Sequence, residues 1–374
     1  MNLVGEWGRL FFEALAGSGV ADVVVSPGSR STPFVVAAAS EPRLACHDVA
    51  DERSAAFHAL GRAKASGRPV ALLSTSGTAP AHYLPAVIEA ARTFTPLVVL
   101  SADRPLSLQD CGASQTIDQV KLFGDHVRWF ADVEAPDPSP GSLRALRRIA
   151  AQAVARALHP VPGPVHVNLR VAKPLEPGPA RGDAEREVEA RARAIGEEPL
   201  AAFRPPRSLP DERTIADVGA AIERSRRGLI VCGPGPLDRF EVRAAVLDLA
   251  RRTGFPIAAE GASQFRFAGD ARGDLVVLDA LDAVYRSGPA RRRLVPDLVL
   301  QIGDAPVSSG WDGALSAAGA TIPRIVLSPH GWPDPWSSAT LLVPADLDET
   351  LRALLAVARA RPDRAWLEEI AAAE

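Results

Sequence analysis

The chain has 374 residues, of which 47% are hydrophobic and 23% charged, with a formal net charge of −3. That length suits about two domains, and that composition suits a soluble chain with a sizeable core. The near-neutral charge balance gives no electrostatic case for nucleic acid or an anionic membrane, and no apolar run reaches the ~18 residues of a membrane span.

The start, "MNLVGEWGRLFFEAL", carries an early Glu6 and no basic segment, so it does not read as a signal peptide. Residues 4–17 place Leu10, Phe11 and Leu15 at helical spacing. "DVVVS" follows as a continuously apolar strand, the kind covered on both faces. "DERSAAFHALGRAKASG" predicts a helix ending at Gly67, "PVALLST" a strand, "APAHYLPAVIEAARTF" a helix and "PLVVLSA" a strand. After a polar loop come the long helix "SLRALRRIAAQAVARAL" and the strand "GPVHVNL". Strands alternating with helices imply βαβ units and a parallel sheet.

Residues 179–209 are charged, rich in Pro and Gly and poor in large apolar groups, which predicts a surface linker. A second α/β unit is expected over 210–346, with helices at "TIADVGAAIERS" and "FEVRAAVLDLARRTG" and strands at "RGLIVC", "FPIAAE", "DLVLQIGD" and "RIVLSP". Residues 347–374 read as a helical tail. The expected fold class is therefore α/β, with two doubly wound, mainly parallel sheets.

In such sheets ligands bind beyond the carboxyl ends of the strands. "SPGSRSTP" leaves the first strand with Ser29 and Arg30 in a tight loop, and Pro33 biases Thr32 away from helix. One guanidinium among hydroxyls suits an anion, preferably a carboxylate; an ordinary turn with a solvated Arg is the alternative. "STSGT" repeats the arrangement with Ser76, Gly77 and Thr78, where Gly77 permits close approach and Thr78 can cap the next helix. "SADRP" places Arg104 at a third strand end. Glu52 opens a helix that Asp51 caps, and its ordinary role is a first-turn acid favoured by the helix dipole. "CGPGPLDRF" has Asp238 where a dinucleotide fingerprint needs a third glycine, and no Walker loop or nucleophile elbow occurs. Cys46, Cys111 and Cys232 build no disulfide or zinc pattern, which points to a reducing cytoplasm. The seven histidines are scattered and read as structural, and "ARRRL" at 290–294 reads as a solvated cationic turn.

Together "SPGSRSTP", "DERSAAFHALGRAKASGRPVALLSTSGTAPAHYLPAVIEA", "LVVLSADRP", "ASQTIDQVKLFG" and "GPVHVNL" resemble the pyrimidine-binding domain of the 2-succinyl-5-enolpyruvyl-6-hydroxy-3-cyclohexene-1-carboxylate synthase family. The resemblance spans residues 1–178, and residues 210–346 are similar to the family's central domain. It implies a thiamine-diphosphate enzyme of menaquinone biosynthesis that decarboxylates 2-oxoglutarate and adds the succinyl unit to isochorismate. By the same resemblance Glu52 contacts the aminopyrimidine and favours its imino tautomer, which lets the cofactor activate itself. Ser29 and Arg30 face isochorismate, Arg104 and Gln115 help hold a dicarboxylate, and Ser76, Gly77 and Thr78 lie along the cofactor. A homo-oligomer is implied too, with the site shared between subunits.

The family's Gly-Asp-Gly motif for Mg2+ or Mn2+ and the cofactor diphosphate does not occur in these residues. Only Gly273-Asp274-Leu275 and Gly303-Asp304-Ala305 come near. The resemblance therefore implies a fragment, or one subunit that works with a separate diphosphate-binding subunit. Other departures are a missing lysine near Ser309, Ser114 in place of a common asparagine, and Arg170 and Lys173 in a stretch that is usually more acidic and proline-bearing. A non-catalytic regulatory relative and a component of a related 2-oxo-acid decarboxylase are the alternative readings.

Overall fold

The computed structural model describes residues 1–235, 240–266, 273–360 and 362–374, so the expectation attached to Asp238 lies outside the described residues. The chain divides into two compact units, Met1–Pro205 and Pro206–Glu374.

In the first unit the order is α1 (Leu3–Gly17), β1 (Asp22–Val25), α2 (Thr32–Ser40), β2 (Ala45–Asp48), α3 (Glu52–Ser66), β3 (Val70–Ser74), α4 (Leu84–Arg92), β4 (Leu97–Asp103), β5 (Phe130–Val133), α5 (Pro140–Leu158), β6 (Pro164–Arg170) and α6 (Gly182–Glu197). The strands pair in parallel in the order β2-β1-β3-β4-β6-β5. Strands β3, β4 and β6 are buried along their whole length, β3 as a nearly continuous apolar run and β4 and β6 with polar residues that pair with one another. One face is covered by α1, α2, α5 and α6 through Trp7, Leu10, Phe11 and Phe34, Leu143 and Leu146, and Ile195. The other is covered by the small residues Ala55, Ala56, Ala59 and Ala63 of α3 and by Tyr83, Val87 and Ala90.

The second unit runs α7 (Glu212–Arg224), β7 (Gly228–Cys232), α8 (Phe240–Thr253), β8 (Ile257–Ala259), β9 (Val277–Leu278), α9 (Leu281–Arg286), α10 (Gly288–Arg293), β10 (Leu298–Ile302), α11 (Ser309–Ala318), β11 (Arg324–Leu327), β12 (Leu341–Val343), α12 (Leu347–Val357) and α13 (Arg364–Ala373). Its parallel sheet has the order β12-β11-β10-β7-β8-β9. Both sheets are the doubly wound α/β architecture expected from the alternation of elements.

Several local expectations are corrected. The supposed linker contains α6, whose Ala192 and Ile195 enter the first core, so the divide falls at Pro205–Pro206. The supposed tail is part of the second unit, because Leu351 and Leu354 of α12 and Trp366 and Ile370 of α13 are buried in its cores. The 290–294 stretch lies largely in the short helix α10. Thr32 is helical, with φ −46° and ψ −50°, because Pro33 occupies the first turn, where a proline lacks no needed donor.

Candidate functional site

The chain passes from β1 outward to β2 and then crosses back to β3 on the other side of β1, so the carboxyl ends of β1 and β3 form the point where the winding reverses. Ligands in such sheets bind at this point, and the loops at 26–31 and 75–78 lie there. They are in close contact. A β-carbon at Gly28 would stand 2.5 Å from that of Thr75, so only glycine fits. The Arg30 amide donates to Thr75 Oγ1 at 3.2 Å. Arg30 itself is buried, and its guanidinium donates to the Val171 carbonyl at 2.8 Å. Ser29 is exposed on the turn.

Glu52 comes to the same edge from β2. The Val49 amide donates to Val25 O at 2.9 Å and Ser26 Oγ to Val49 O at 3.2 Å, which fixes the chain entering α3. Asp51 accepts from the Ser54 amide at 2.8 Å and is the helix cap, as expected. Glu52 is half-buried, and its carboxylate has no hydrogen bond or ion pair among the described residues. Next to it lies Tyr83, wholly buried. Burial raises the Tyr83 pKa most, with the Glu52 charge adding to the rise and the nearby Ser26 and Ser74 hydroxyls acting against it. Neither Tyr83 Oη nor Ser74 Oγ completes a hydrogen bond of good geometry.

The loop after β3 is held by a partner segment. Gly77 has φ +87°, a conformation L side chains rarely adopt, and a β-carbon there would lie 2.9 Å from Gln115 Cγ. Gln115 Nε2 donates to Ser76 O at 3.2 Å, and Ser76 Oγ donates to Gln115 O at 3.1 Å. The Gly77 amide donates to Gln119 Oε1 at 3.0 Å, so it is not a free anion-binding donor. Thr78 makes no side-chain capping bond, and a 3-10 turn over Ala79–Tyr83 follows it. The expected capping role of Thr78 is therefore not what this backbone uses.

Beneath these loops runs a polar ladder on β4 and β6. Ser101 Oγ donates to Asn168 Oδ1 at 2.8 Å and so accepts from His166 Nε2 at 2.7 Å. Burial lowers the His166 pKa to about 3, which keeps the ring neutral. Asn168 Nδ2 donates at 2.9 Å to Asp103 and at 2.9 Å to Asp132, and Gln119 Nε2 donates to Asn168 at 2.9 Å. Arg170 pairs with Asp103 at 3.1 Å and with Asp132 at 3.0 Å.

Arg104 follows Asp103 directly. Its side chain has no hydrogen bond or ion pair among the described residues, and its Nε is buried without a partner. It is close enough to Arg30 that, after burial, its charge is the next cause lowering the Arg30 pKa, while Asp103 opposes it. Ser29, Arg30, Glu52, Ser76, Gly77, Arg104 and Gln115 thus all lie along the carboxyl edge of one sheet. Thr75, Asp103, Gln119 and Asn168 were not singled out from the sequence, and Arg170 stood out only as a departure from the family's pattern. A signal existed: polar residues at 101 and 103, and at 166, 168 and 170, recur every second position in apolar strands, which puts them on one face. Among the described residues no group of three or more His, Cys, Asp or Glu side chains could hold a metal ion.

Comparison with known proteins points to thiamine enzymes. The family described as "Thiamine pyrophosphate enzyme, N-terminal TPP binding domain" matches residues 6–122. All of the chain aligns at 48% identity with the 2-succinyl-5-enolpyruvyl-6-hydroxy-3-cyclohexene-1-carboxylate synthase of Sorangium cellulosum, covering 61% of that protein. The synthase of Geobacillus kaustophilus is 44% identical over 95% of this chain and 59% of its own length. That of Haloarcula marismortui is 40% identical over all of this chain and 64% of its own. The chain thus spans about three-fifths of the length of these curated relatives. Over its whole length the chain is similar to 2-succinyl-5-enolpyruvyl-6-hydroxy-3-cyclohexene-1-carboxylate synthases, and its residues 6–122 match the thiamine-enzyme N-terminal family.

Proposed function

We propose that this chain supplies the pyrimidine-binding and dicarboxylate-binding part of a thiamine-diphosphate enzyme that decarboxylates 2-oxoglutarate and adds the succinyl unit to isochorismate. The observation that carries the reading is the meeting of Arg30 and Arg104, neither paired with a carboxylate, at the edge that also holds the unpaired Glu52. Unpaired guanidinium groups suit carboxylate substrates, and each charge-assisted hydrogen bond contributes roughly 1.5–3 kcal/mol.

The residues present fit the cofactor's pyrimidine. Glu52 is an acceptor with no competing partner, and the adjoining Tyr83 and Ser74 hydroxyls are buried donors without one. Bound thiamine diphosphate supplies the electron sink for decarboxylation. In this reading Glu52 would hold the cofactor's pyrimidine by accepting a hydrogen bond, and Ser76 and Gly77 would lie beside it. Ser29, Arg30, Arg104 and Gln115 orient the dicarboxylates. The diphosphate and its Mg2+ or Mn2+ belong to a region outside these 374 residues, on the same polypeptide or a separate subunit.

We further infer a homo-oligomer, supported by the exposed apolar side chains Phe57, Leu106, Leu108 and Val120 on the first unit. A cytoplasmic setting is supported by three free cysteines. Among the described residues no helix is long and apolar enough to cross a membrane.

Turnover of 2-oxoglutarate and isochorismate by this chain with a diphosphate-binding partner tests the reading. Glu52→Gln is expected to reduce that turnover by at least about 100-fold while leaving the unfolding midpoint within experimental error. Retained activity would remove Glu52 from the proposed role.

A further inference from the structure

We propose that Arg170 is a positioning residue that presets Arg104 and keeps Asp103 from neutralising the two clamp arginines. The proposal rests on the reading of Arg30 and Arg104 as carboxylate ligands and names what holds them ready.

Arg170 is the last residue of β6 and is only 4% exposed. Its Nη1 donates to the Arg104 carbonyl at 2.9 Å and lies 3.1 Å from Asp103 Oδ2. Its Nε and Nη2 both reach Asp132 Oδ2, at 3.1 and 3.0 Å. Asp103 in turn accepts the Arg104 amide at 2.7 Å. The peptide groups on both sides of the Arg104 Cα are therefore held by one buried ion pair, while the Arg104 guanidinium is left without a partner. The next residue completes the arrangement. The Val171 amide donates to Asp103 O at 2.9 Å, and the Val171 carbonyl accepts from Arg30 Nη1 at 2.8 Å. Two consecutive residues at one strand end thus hold both arginines.

Asp103 is completely buried and would be the natural counter-ion for Arg104 or Arg30. Buried charges require partners, and Arg170 satisfies both Asp103 and Asp132. The clamp cations keep their charge for a ligand only while those acids are occupied. Arginine is suited to this task, since its planar fork reaches three acceptors at once where a lysine ammonium offers a single point.

Calorimetric titration of 2-oxoglutarate into the full chain tests the proposal. Arg104→Gln is expected to weaken binding about tenfold or more, the loss of one charge-assisted contact. Arg170→Gln should weaken it by a similar factor, and the double variant should lose little more, because both changes remove one function. Arg170→Lys, which keeps the charge and guards against a failure of Arg170→Gln to fold, should fall between Arg170→Gln and the unaltered chain. Adding Asp103→Asn to Arg170→Gln removes the competing anion while keeping an acceptor for the Arg104 amide, so it should recover part of the lost affinity. A purely structural role for Arg170 would lower the unfolding midpoint without that recovery. Wild-type affinity in both Arg170 variants alongside weak binding by Arg104→Gln would overturn the inference and leave the proposed function intact. Equal binding, or none, by the unaltered chain and Arg104→Gln would instead remove the carboxylate reading of Arg104 and this inference with it.

Discussion

Gly28 lies so close to Thr75 that a β-carbon at 28 would be 2.5 Å from the Thr75 β-carbon and 2.6 Å from its γ-methyl. The contact joins the loops after β1 and β3, and the Arg30 amide takes its acceptor from the same threonine. Because the Gly28 backbone is extended, with φ −172°, the constraint is one of space alone. Gly28→Ala should therefore destabilise the first unit by about 1–3 kcal/mol, the usual cost of overpacking. It should also weaken dicarboxylate binding, since Arg30 must shift with the loop. Gly28→Ala combined with Thr75→Ser, which removes the γ-methyl but retains the hydroxyl, should recover part of the stability in denaturant titrations. No recovery would mean that the γ-methyl is not the atom that matters and that the Thr75 β-carbon, which serine keeps, carries the clash.

His166 makes the first unit sensitive to acid. Its pKa is about 3 when folded, against 6.5 for the exposed ring, because burial disfavours the cation. The unfolded chain therefore binds a proton that the folded one does not between those values. Stability from this group is complete above about pH 6.5 and is lost as pH falls toward 3, at up to roughly 1.4 kcal/mol per pH unit. His166→Gln retains a donor for Ser101 and has nothing to titrate. Its unfolding free energy should decline less steeply than the wild type's between pH 6 and 4, by about one proton equivalent. Parallel curves for the two proteins would show that the ring is not kept neutral in the fold.

The central strands of both sheets were legible because each is a run of apolar residues buried on both faces, as in β4 and β10. The strands β2, β5, β9 and β12 were not. They form the outer edges of the two sheets, and β2 has Ala45, Cys46 and Asp48 exposed, so no hydrophobic pattern marks it. Helix α6 escaped notice for a related reason: it buries only Ala192 and Ile195, and its remaining charged surface looks like a linker. At the candidate site the loop arginines and Glu52 could be picked out from chemistry and resemblance. The residues that hold them, Asp103, Gln119 and Arg170, could not be paired from sequence, because each meets its partner across 17 or more residues or from another strand.

The last 28 residues offer a test of where the second unit ends. They contain α12, which packs on α7 and α8 and places Leu351 and Leu354 in the core that includes β7, β8 and β10, and α13, which buries Trp366 and Ile370. Trp366 Nε1 donates to Gly228 O at 3.2 Å, and the Arg227 guanidinium lies 4.6 Å from the ring centroid. This indole therefore closes the sheet at the start of β7, and α13 is part of the core. Trp366→Ala should destabilise the second unit by about 3–5 kcal/mol, the range for removing a buried aromatic side chain. Trp366→Phe, which fills most of the volume but loses the hydrogen bond, should cost less. Removing residues 347–374 should leave the second unit unfolded in circular dichroism and open to proteolysis, while the first unit, whose core contains none of these residues, keeps its own transition. A second unit that melts normally after this truncation would restore the view of the segment as a tail.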